Sequence, residues 1–323
     1  MSIRLSAVRV LNFHGIIDRS QQANHFASLF ADTEVFEQQA SIIAKRGRPV
    51  SLEELEASLS NGHRLPDDAV HVSFDDGYHN NLRAAEILDR HRIPWSLFVV
   101  VESVLAGYQP WFLRLADAVE ATTNVMLRDG SVLDTSDRAG KRRFARLAKV
   151  EIIAARDGDQ DGALERVLGL RGMQVPACPG WPLLDIADLK ELAAAGVAIG
   201  NHSAHHRNLT RCTDSDLRDE VTGARLRLEG ALGSPVRYFA YPDGRHDRRV
   251  RAVVGEGHAL GLATWTVRPP ETRLALRRYE PTGTADLEAI LDSPEPWYGR
   301  RWARWNGPSR VREVAAPFRR VIA

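Results

Sequence analysis

The sequence predicts an α/β protein built around a sheet of parallel strands. Short segments rich in β-branched and other apolar residues recur along the 323-residue chain, at 69–74, 95–101 and 236–241. Segments with the hydrophobic spacing of helices lie between them, as at 80–92 and 214–232. Alternating strands and helices are typical of a parallel sheet that is covered by helices.

The remaining elements follow the same alternation. The first strand is predicted at 7–12, and a helix at 26–46 follows it. Ser51 and Glu54 have the spacing of a capping box, which predicts the start of the next helix. Two closing strands are predicted near the end of the pattern, at 259–266 and 275–279.

Composition and charge narrow the class of protein. Hydrophobic residues make up 44% of the chain, which is ample for a large core. The 43 basic and 42 acidic residues nearly cancel, so nothing indicates nucleic-acid binding. Cys178 and Cys212 are too few for a disulfide framework or a thiolate zinc site. No apolar run has the length of a membrane span, and the N-terminus lacks a signal-peptide core, so we expect a cytoplasmic protein.

Two adjacent carboxylates end the buried strand at 69–74. Neighbouring side chains on an extended chain point in opposite directions, so Asp75 and Asp76 reach one site only if the strand turns there. Gly77 supplies the conformational freedom for such a turn. Two acids in this position suit one metal ligand and one free base, and a solvated Asp-Asp-Gly turn is the alternative.

A histidine cluster follows the short apolar segment 196–199. His202 and His206 are four residues apart, so one helical turn would place both imidazoles on the same face, with His205 pointing elsewhere. A solvated histidine-rich loop is the alternative. Together with Asp76, the two imidazoles would give an ion two nitrogen ligands and one oxygen ligand and leave a position for water, as a catalytic site requires. Zinc suits this ligand set best.

Three ordered motifs carry a resemblance to a known family. Ser-Phe-Asp-Asp-Gly at 73–77, His-Ser-Ala-His-His at 202–206 and Phe-Ala-Tyr-Pro-Asp-Gly at 239–244 resemble the motifs of the polysaccharide deacetylases, the NodB-homology group of carbohydrate esterase family four. Phe-His-Gly-Ile at 13–16 is similar to the element that opens the Phe-Ala-Tyr-Pro branch of that family. The resemblance extends from about residue 8 to about residue 282.

The resemblance implies a fold and a domain organisation. Residues 1–282 would form a distorted (β/α) barrel of about seven parallel strands. A charged, helical segment at about 107–175 would be an insertion that flanks the substrate groove. Residues 283–323 would be a Trp- and Arg-rich extension packed on the barrel. Sugar stacking and peripheral membrane contact are the alternatives for its aromatic residues, Trp297, Tyr298, Trp302 and Trp305.

The resemblance also implies an activity, the hydrolytic removal of an N-acetyl group from an amino sugar of a glycan or glycan precursor. Asp76, His202 and His206 would hold one divalent ion, and Asp75 would be the general base. The main-chain N–H of Asp243 would share the developing oxyanion with the ion. An ordinary Pro-Asp-Gly turn is the alternative interpretation of the last motif.

The sequence departs from the family pattern at the general acid. The usual late Leu-x-His motif is not found, and His258 is the only histidine after residue 246. His14, at the predicted C-terminal end of the first strand, is the first candidate for the acid, and His246 is the second. A histidine that caps a turn is the alternative for His14.

A second departure concerns substrate contacts. Many family members have an arginine before the Pro-Pro-Tyr-Gly turn of the third motif. That position is Ala240 here, so the orienting role would be vacant or taken by Arg237 or another residue. Tyr241, Trp111 and Arg237 are predicted to contact the substrate.

Two other functions stay open at this point. Related amide chemistry on a small molecule, as in a deformylase or a ureide amidohydrolase, would use the same ligand set. The other is a carbohydrate-binding relative that has lost turnover, because the usual acid motif is missing. The intact pairs of aspartates and histidines argue against this second alternative.

Overall fold

The structure of the protein is a computed structural model that describes residues 8–18, 20, 29–62, 64–127, 129–172, 181–264 and 272–293. The four aromatic residues predicted in the extension lie outside the described residues. No described helix is long and apolar enough to cross a lipid bilayer. The strands are β1 (Arg9–Phe13), β2 (Ile16–Ile17), β3 (Ala31–Asp32), β4 (Arg48–Pro49), β5 (Ala69–Asp76), β6 (Trp95–Val99), β7 (Asn124–Met126), β8 (Val132–Asp134), β9 (Ala198–Asn201), β10 (Tyr238–Ala240), β11 (Leu260–Leu262) and β12 (Arg278–Tyr279). The helices are α1 (Thr33–Arg46), α2 (Leu52–Asn61), α3 (Asn81–Arg90), α4 (Val101–Ala106), α5 (Trp111–Glu120), α6 (Arg138–Ile153), α7 (Gln160–Gly169), α8 (Ile186–Ala194), α9 (Asp214–Arg218), α10 (Ala224–Leu232), α11 (Arg248–Gly255) and α12 (Thr284–Asp292).

Seven of these strands form a nearly closed parallel barrel, which confirms the predicted fold class. Their order around the barrel is β11-β10-β9-β6-β5-β1-β12, and every pairing is parallel. The segment that leads into β12 closes the ring, because Leu276 pairs with Leu262 on β11 while Arg278 pairs with Val10 on β1. The carboxyl ends of all seven strands therefore meet at one end, where barrel enzymes build their sites.

Alternate residues of β5 face opposite sides of the barrel wall. Val72 and Phe74 pack outward into the main hydrophobic cluster, together with residues of α1, α3, α8 and α10. Ser73 and Asp75 lie on the inner side, where they contact β1 and β12. Most other inner positions are apolar and form one cluster with α2, which closes the amino-terminal end of the barrel: Val10, Leu52, Leu55, Phe98, Tyr238, Ala240, Leu260, Leu262 and Leu276.

The helix starts follow local capping signals. Ser51 and Glu54 form the predicted capping box at the start of α2. The predicted start of the first helix at residue 26 was wrong, because α1 begins at Thr33. The side chain of Asp32 accepts hydrogen bonds from two N–H groups of the first turn and fixes the start there.

The helical insertion has a hydrophobic core of its own. Helices α5, α6 and α7 and the hairpin β7–β8 enclose this core, which includes Trp111, Phe144 and Leu164. Two side chains of the histidine segment anchor it to the barrel. The Nε of Arg207 donates to the Gly158 carbonyl at 2.8 Å, and the Nδ2 of Asn208 donates to the Ile153 carbonyl at 3.0 Å. The insertion is thereby fixed beside the carboxyl end of β9.

Candidate metal centre and catalytic site

Left-handed backbone conformations concentrate at the carboxyl end of the barrel. Among the described residues, six non-glycine residues have φ between +52° and +72°, and four of them are Asp76, Ser203, His206 and Asp243. Such conformations are unfavourable for residues with a Cβ and persist where the surrounding structure holds them. Each of the three sequence motifs therefore contains a held turn at the end of its strand.

The first motif turns between its two carboxylates. Asp75 faces the barrel interior, while Asp76 has a φ of 72° and faces the histidine segment. Gly77 continues the turn with a φ of 76°, and a Cβ at this position would meet the Val99 side chain at 3.0 Å. The turn thus brings two adjacent acids to one site from different sides.

The histidine segment is a loop, so the predicted helical turn was wrong. The N–H of Ser203 donates to Oδ1 of Asn201 at 2.9 Å, and the N–H of His206 donates to Oγ of Ser203 at 2.9 Å. These two bonds fold the loop back on itself and bring the imidazoles of His202 and His206 to 4.9 Å between ring centroids. The Nδ1 of His202 donates to the Ala240 carbonyl at 2.8 Å, which leaves its Nε2 free as a ligand atom.

Asp76, His202 and His206 form a compact ligand set, with one ligand atom from each residue lying within 4.8 Å of the others. Oδ1 of Asp76 lies 3.5 Å from Nε2 of His202 and 3.6 Å from Nε2 of His206. This oxygen is buried and has no hydrogen-bond partner among the described residues. Burial lowers the pKa of His202, which favours the neutral form that binds metals. The donor types and the unpartnered oxygen fit a divalent ion.

Asp75 is held by an arginine that the sequence did not predict. Nη1 and Nη2 of Arg278 bind its two carboxylate oxygens at 2.7 and 2.6 Å. Asn12 also donates to Asp75, at 3.3 Å, and accepts from Arg278, at 2.8 Å. Burial would raise the pKa of Asp75, but the Arg278 charge outweighs it and holds this pKa well below its usual range. Asp75 is therefore an ionised carboxylate beside the ligand set.

A family comparison agrees with these motifs. The polysaccharide deacetylase family model matches residues 181–270, which include the histidine segment and the third motif. Over these residues the chain is similar to the polysaccharide deacetylase family. It is also 26% identical over 87 residues to the uncharacterized protein YlxY of Bacillus subtilis (strain 168), a match that covers 27% of this chain and 27% of that relative.

Solved structures of deacetylases share the fold. The Streptococcus pyogenes deacetylase PplD in complex with acetate has a TM-score of 0.60 and 18% identity, over 90% of this chain and 98% of that chain. BC0361, a polysaccharide deacetylase from Bacillus cereus, has a TM-score of 0.56 and 18% identity, over 89% of this chain and 69% of that chain. IcaB from Ammonifex degensii has a TM-score of 0.54 and 17% identity, over 88% of this chain and 95% of that chain. At these identities the likeness shows the barrel fold alone.

Two residues that the sequence predicted to contact the substrate, Trp111 and Tyr241, are buried. Trp111 is 1% exposed, and its Nε1 donates to the His206 carbonyl at 3.3 Å, so it supports the metal-ligand loop from behind. Tyr241 is 0% exposed, and its hydroxyl donates to the Leu274 carbonyl at 2.7 Å. Both side chains are committed to packing inside the protein, so neither presents a surface to a substrate.

The third predicted contact, Arg237, lies at the wrong end of the barrel. It precedes β10 and pairs with Glu56 of α2, the helix that closes the amino-terminal end. The sequence assigned the orienting role to Arg237 or to another residue. Arg278, which binds Asp75, is in a position to take this role. His205 pairs with Glu220 at 2.7 Å and points away from the ligand set.

The two acid candidates lie in different surroundings. His14 follows β1 and is close enough to Asp75 for its charge to lower the pKa of that carboxylate. The Nδ1 of His246 accepts from Nη1 of Arg251 at 3.0 Å, and its ring packs against Tyr241. Burial and the charge of Arg251 both lower the pKa of His246, so it is neutral and paired. His246 is therefore committed to Arg251, whereas His14 is the candidate near Asp75.

The turn after β10 carries Asp243, the predicted oxyanion residue. Asp243 has a φ of 52° in the short helical turn Pro242–Gly244. The first N–H groups of a helical turn have no acceptor within it, so the Asp243 amide is available to a ligand. Its carboxylate pairs with Lys149 of the insertion. Burial would raise the pKa of Asp243, but the neighbouring Lys149 ammonium lowers this pKa well below its usual range, so the carboxylate is ionised.

Proposed function

We propose that this protein is a metal-dependent hydrolase that removes the N-acetyl group from an amino sugar of a glycan or glycan precursor. The proposal rests on one observation: two adjacent carboxylates lie at the same site but have different partners. Asp76 has an unpartnered oxygen that faces two imidazole nitrogens. Asp75, beside it, is committed to Arg278 rather than to the ligand set.

The ligand set suits one divalent ion, and zinc fits two imidazoles and one carboxylate best. Asp76, His202 and His206 would hold the ion. When bound, it would acidify a water molecule and polarise the acetyl oxygen. The hydrogen bond from His202 to the Ala240 carbonyl fixes the imidazole orientation that this role needs.

Asp75 is proposed as the general base that accepts a proton from the attacking water. The Arg278 fork keeps it ionised and fixes the direction of both oxygens. The Asp243 amide is proposed to stabilise the oxyanion that forms on the acetyl oxygen. His14 is proposed to protonate the leaving amine, since it is the histidine next to Asp75 that no metal-ligand role uses.

Acetate release from N-acetylchitohexaose tests the proposal. We expect release by the zinc-loaded protein and a loss of at least 10²-fold in kcat for Asp75→Asn, in line with removal of a general base. Metal content serves as the folding control, because Asp75 is not a ligand. Formate from N-formylglucosamine without any acetate would move the proposal to a deformylase. Failure to release an acyl group from either sugar would contradict it.

A further inference from the structure

Helix α6 of the insertion carries a surplus of positive charge. Its 16 residues include six basic residues and one acid, Glu151, in a chain whose net charge is +1. Lys141 pairs with Glu120, and Lys149 pairs with Asp243. The other four basic residues are exposed, and their side chains make no ion pair or hydrogen bond with any part of the chain that the structure describes: Arg138, Arg142, Arg143 and Arg146.

This charge pattern opposes the stability of the helix itself. Asp137 caps the amino end of α6, but the first turn itself contains Arg138 and Lys141 and no acid, although this end of a helix favours negative charge. Arg138, Arg142 and Arg146 are spaced four residues apart, and like charges at this spacing repel each other. No acid within the helix lies three or four positions from these arginines. Helix stability therefore does not explain them, whereas an anionic partner would.

Arg138, Arg142, Arg146 and Lys149 form one line, which we call the cationic row. Successive members are three or four residues apart and so share a face of α6. At 1.5 Å per residue the row is about 16 Å long. The residues of α6 that pack into the insertion core, Phe144, Ala148 and Ile152, lie on a different face of the helix, and all four members of the row are exposed.

The row ends at the proposed metal centre. Nζ of Lys149 lies 3.1 Å from Oδ1 of Asp243, on the turn that carries the proposed oxyanion amide. The same ammonium lies 5.9 Å from the ring centre of Trp111, whose indole donates to the His206 carbonyl. A chain molecule that follows the row from its outer end therefore arrives beside the metal ligands.

We infer that the cationic row binds an anionic glycan and leads it to the metal centre. The substrate is then an N-acylated amino-sugar glycan that carries carboxylate groups, an inference that rests on the proposed function. Guanidinium groups bind carboxylates through paired hydrogen bonds. Because the arginines are exposed, their attraction is screened by salt. The row supplies affinity along the chain, and the metal centre acts on one sugar.

Calorimetric binding of two glycans tests the inference. The first is a heparosan oligosaccharide, which alternates glucuronate with N-acetylglucosamine, and the second is neutral N-acetylchitohexaose. Both are titrated into the full chain carrying Asp75→Asn, with and without Arg138→Gln, Arg142→Gln and Arg146→Gln. The control carries Arg64→Gln, Arg83→Gln and Arg218→Gln, which remove the same charge from exposed ion pairs on other elements.

We expect heparosan to bind at least tenfold more tightly than chitohexaose at low salt. The row variant should lose this preference and most of its salt dependence, while the control keeps both. Equal affinity for the two glycans, or an unchanged preference in the row variant, would overturn the inference. Row-dependent binding to phosphatidylglycerol vesicles without binding to heparosan would overturn it in favour of a membrane surface. The proposed function fails separately, if the wild-type protein releases no acyl group.

Discussion

Nζ of Lys149, on helix α6 of the insertion, lies 3.1 Å from Oδ1 of Asp243, on the turn that follows β10. This ion pair crosses from the insertion to the barrel at the proposed site. Asp243 has a left-handed backbone with a φ of 52°, which its surroundings must hold in place. The pair thus ties the direction of the Asp243 amide to the position of the insertion.

Lys149→Met should lower kcat roughly tenfold with little change in KM, because it would shift the Asp243 amide without removing it. Removal of an oxyanion donor lowers kcat by about 10²–10³-fold, and a shifted donor should cost less. Lys149→Arg keeps the charge and should restore most of the rate. Steady-state kinetics with N-acetylchitohexaose checks both variants. Lys141→Met breaks an ion pair on the same helix and should leave kcat unchanged. An effect of Lys149→Met on KM alone would instead indicate direct substrate contact.

Arg278→Met should destabilise the protein by about 3–5 kcal/mol, because it leaves the buried Asp75 charge without its partner. Acetate release should fall as well, since the base loses its orientation. Urea unfolding measures the stability change. Arg237→Met is the matched control, because Arg237 is exposed in its pair with Glu56, unlike the buried Arg278, and ion pairs with an exposed member contribute about 1 kcal/mol or less. Equal stability losses in the two variants would contradict the assignment of the inner pair.

Gly200→Ala should destabilise the barrel by about 1–3 kcal/mol, the usual cost of overpacking. A Cβ at Gly200 would lie 2.3 Å from Cδ1 of Phe98. That ring is also beneath the Arg278 guanidinium, 5.7 Å from its centre, so acetate release should fall with stability. Gly230→Ala, in α10 with nothing within 4 Å of a new Cβ, should be neutral or stabilising by about 0.5–1 kcal/mol. Thermal unfolding measures both stability changes. Equal changes in the two variants would contradict the close packing of Gly200 against Phe98.

The free energy of unfolding should decrease as the pH is lowered, because His71 is buried in its neutral form. Its ring contacts the Val50 carbonyl and Oγ of Ser96, and burial lowers its pKa from 6.5 to about 4. Because the unfolded chain binds the proton more readily, the contribution of His71 is present above pH 6.5 and is lost as pH falls toward 4. The shift corresponds to about 3 kcal/mol. The free energy of unfolding, measured with urea from pH 4 to 7, should depend less on pH in His71→Gln than in the wild-type protein. An unchanged pH dependence would exclude this role.

The sequence predicted a parallel α/β fold and the placement of the aspartate and histidine motifs because local patterns determine them, whereas the barrel was implied by the family resemblance. The strand before Asp75 alternates, and the segment before His202 is short and apolar, so both motifs fall at strand ends. In a parallel barrel those ends meet, and the structure brings the three proposed ligands within 4.8 Å. The helical turn predicted for the histidines was wrong because Asn201 and Ser203 side chains bond the backbone and favour a loop.

Arg278 was missed because its partner Asp75 is 203 residues away along the chain. The available signal was a charged residue inside a predicted closing strand, where charges are rare unless they are paired. Trp111 was assigned to the substrate as part of the insertion expected to flank the groove, and Tyr241 as part of the third motif. Burial decides their roles, and burial depends on how the insertion packs on the barrel.

Metal content of the purified protein, measured together with acetate release, tests the central claim most directly. After zinc loading and desalting, we expect about one ion per chain in the wild-type protein, and the loss of ion and activity in Asp76→Ala and His206→Ala. Asp75→Asn should keep its ion and lose activity. Saturating zinc should also raise the free energy of unfolding, by about 2.7 kcal/mol at a hundred times its Kd. A wild-type protein that holds no metal when zinc is supplied, or that releases acetate after its metal is removed, would contradict the account.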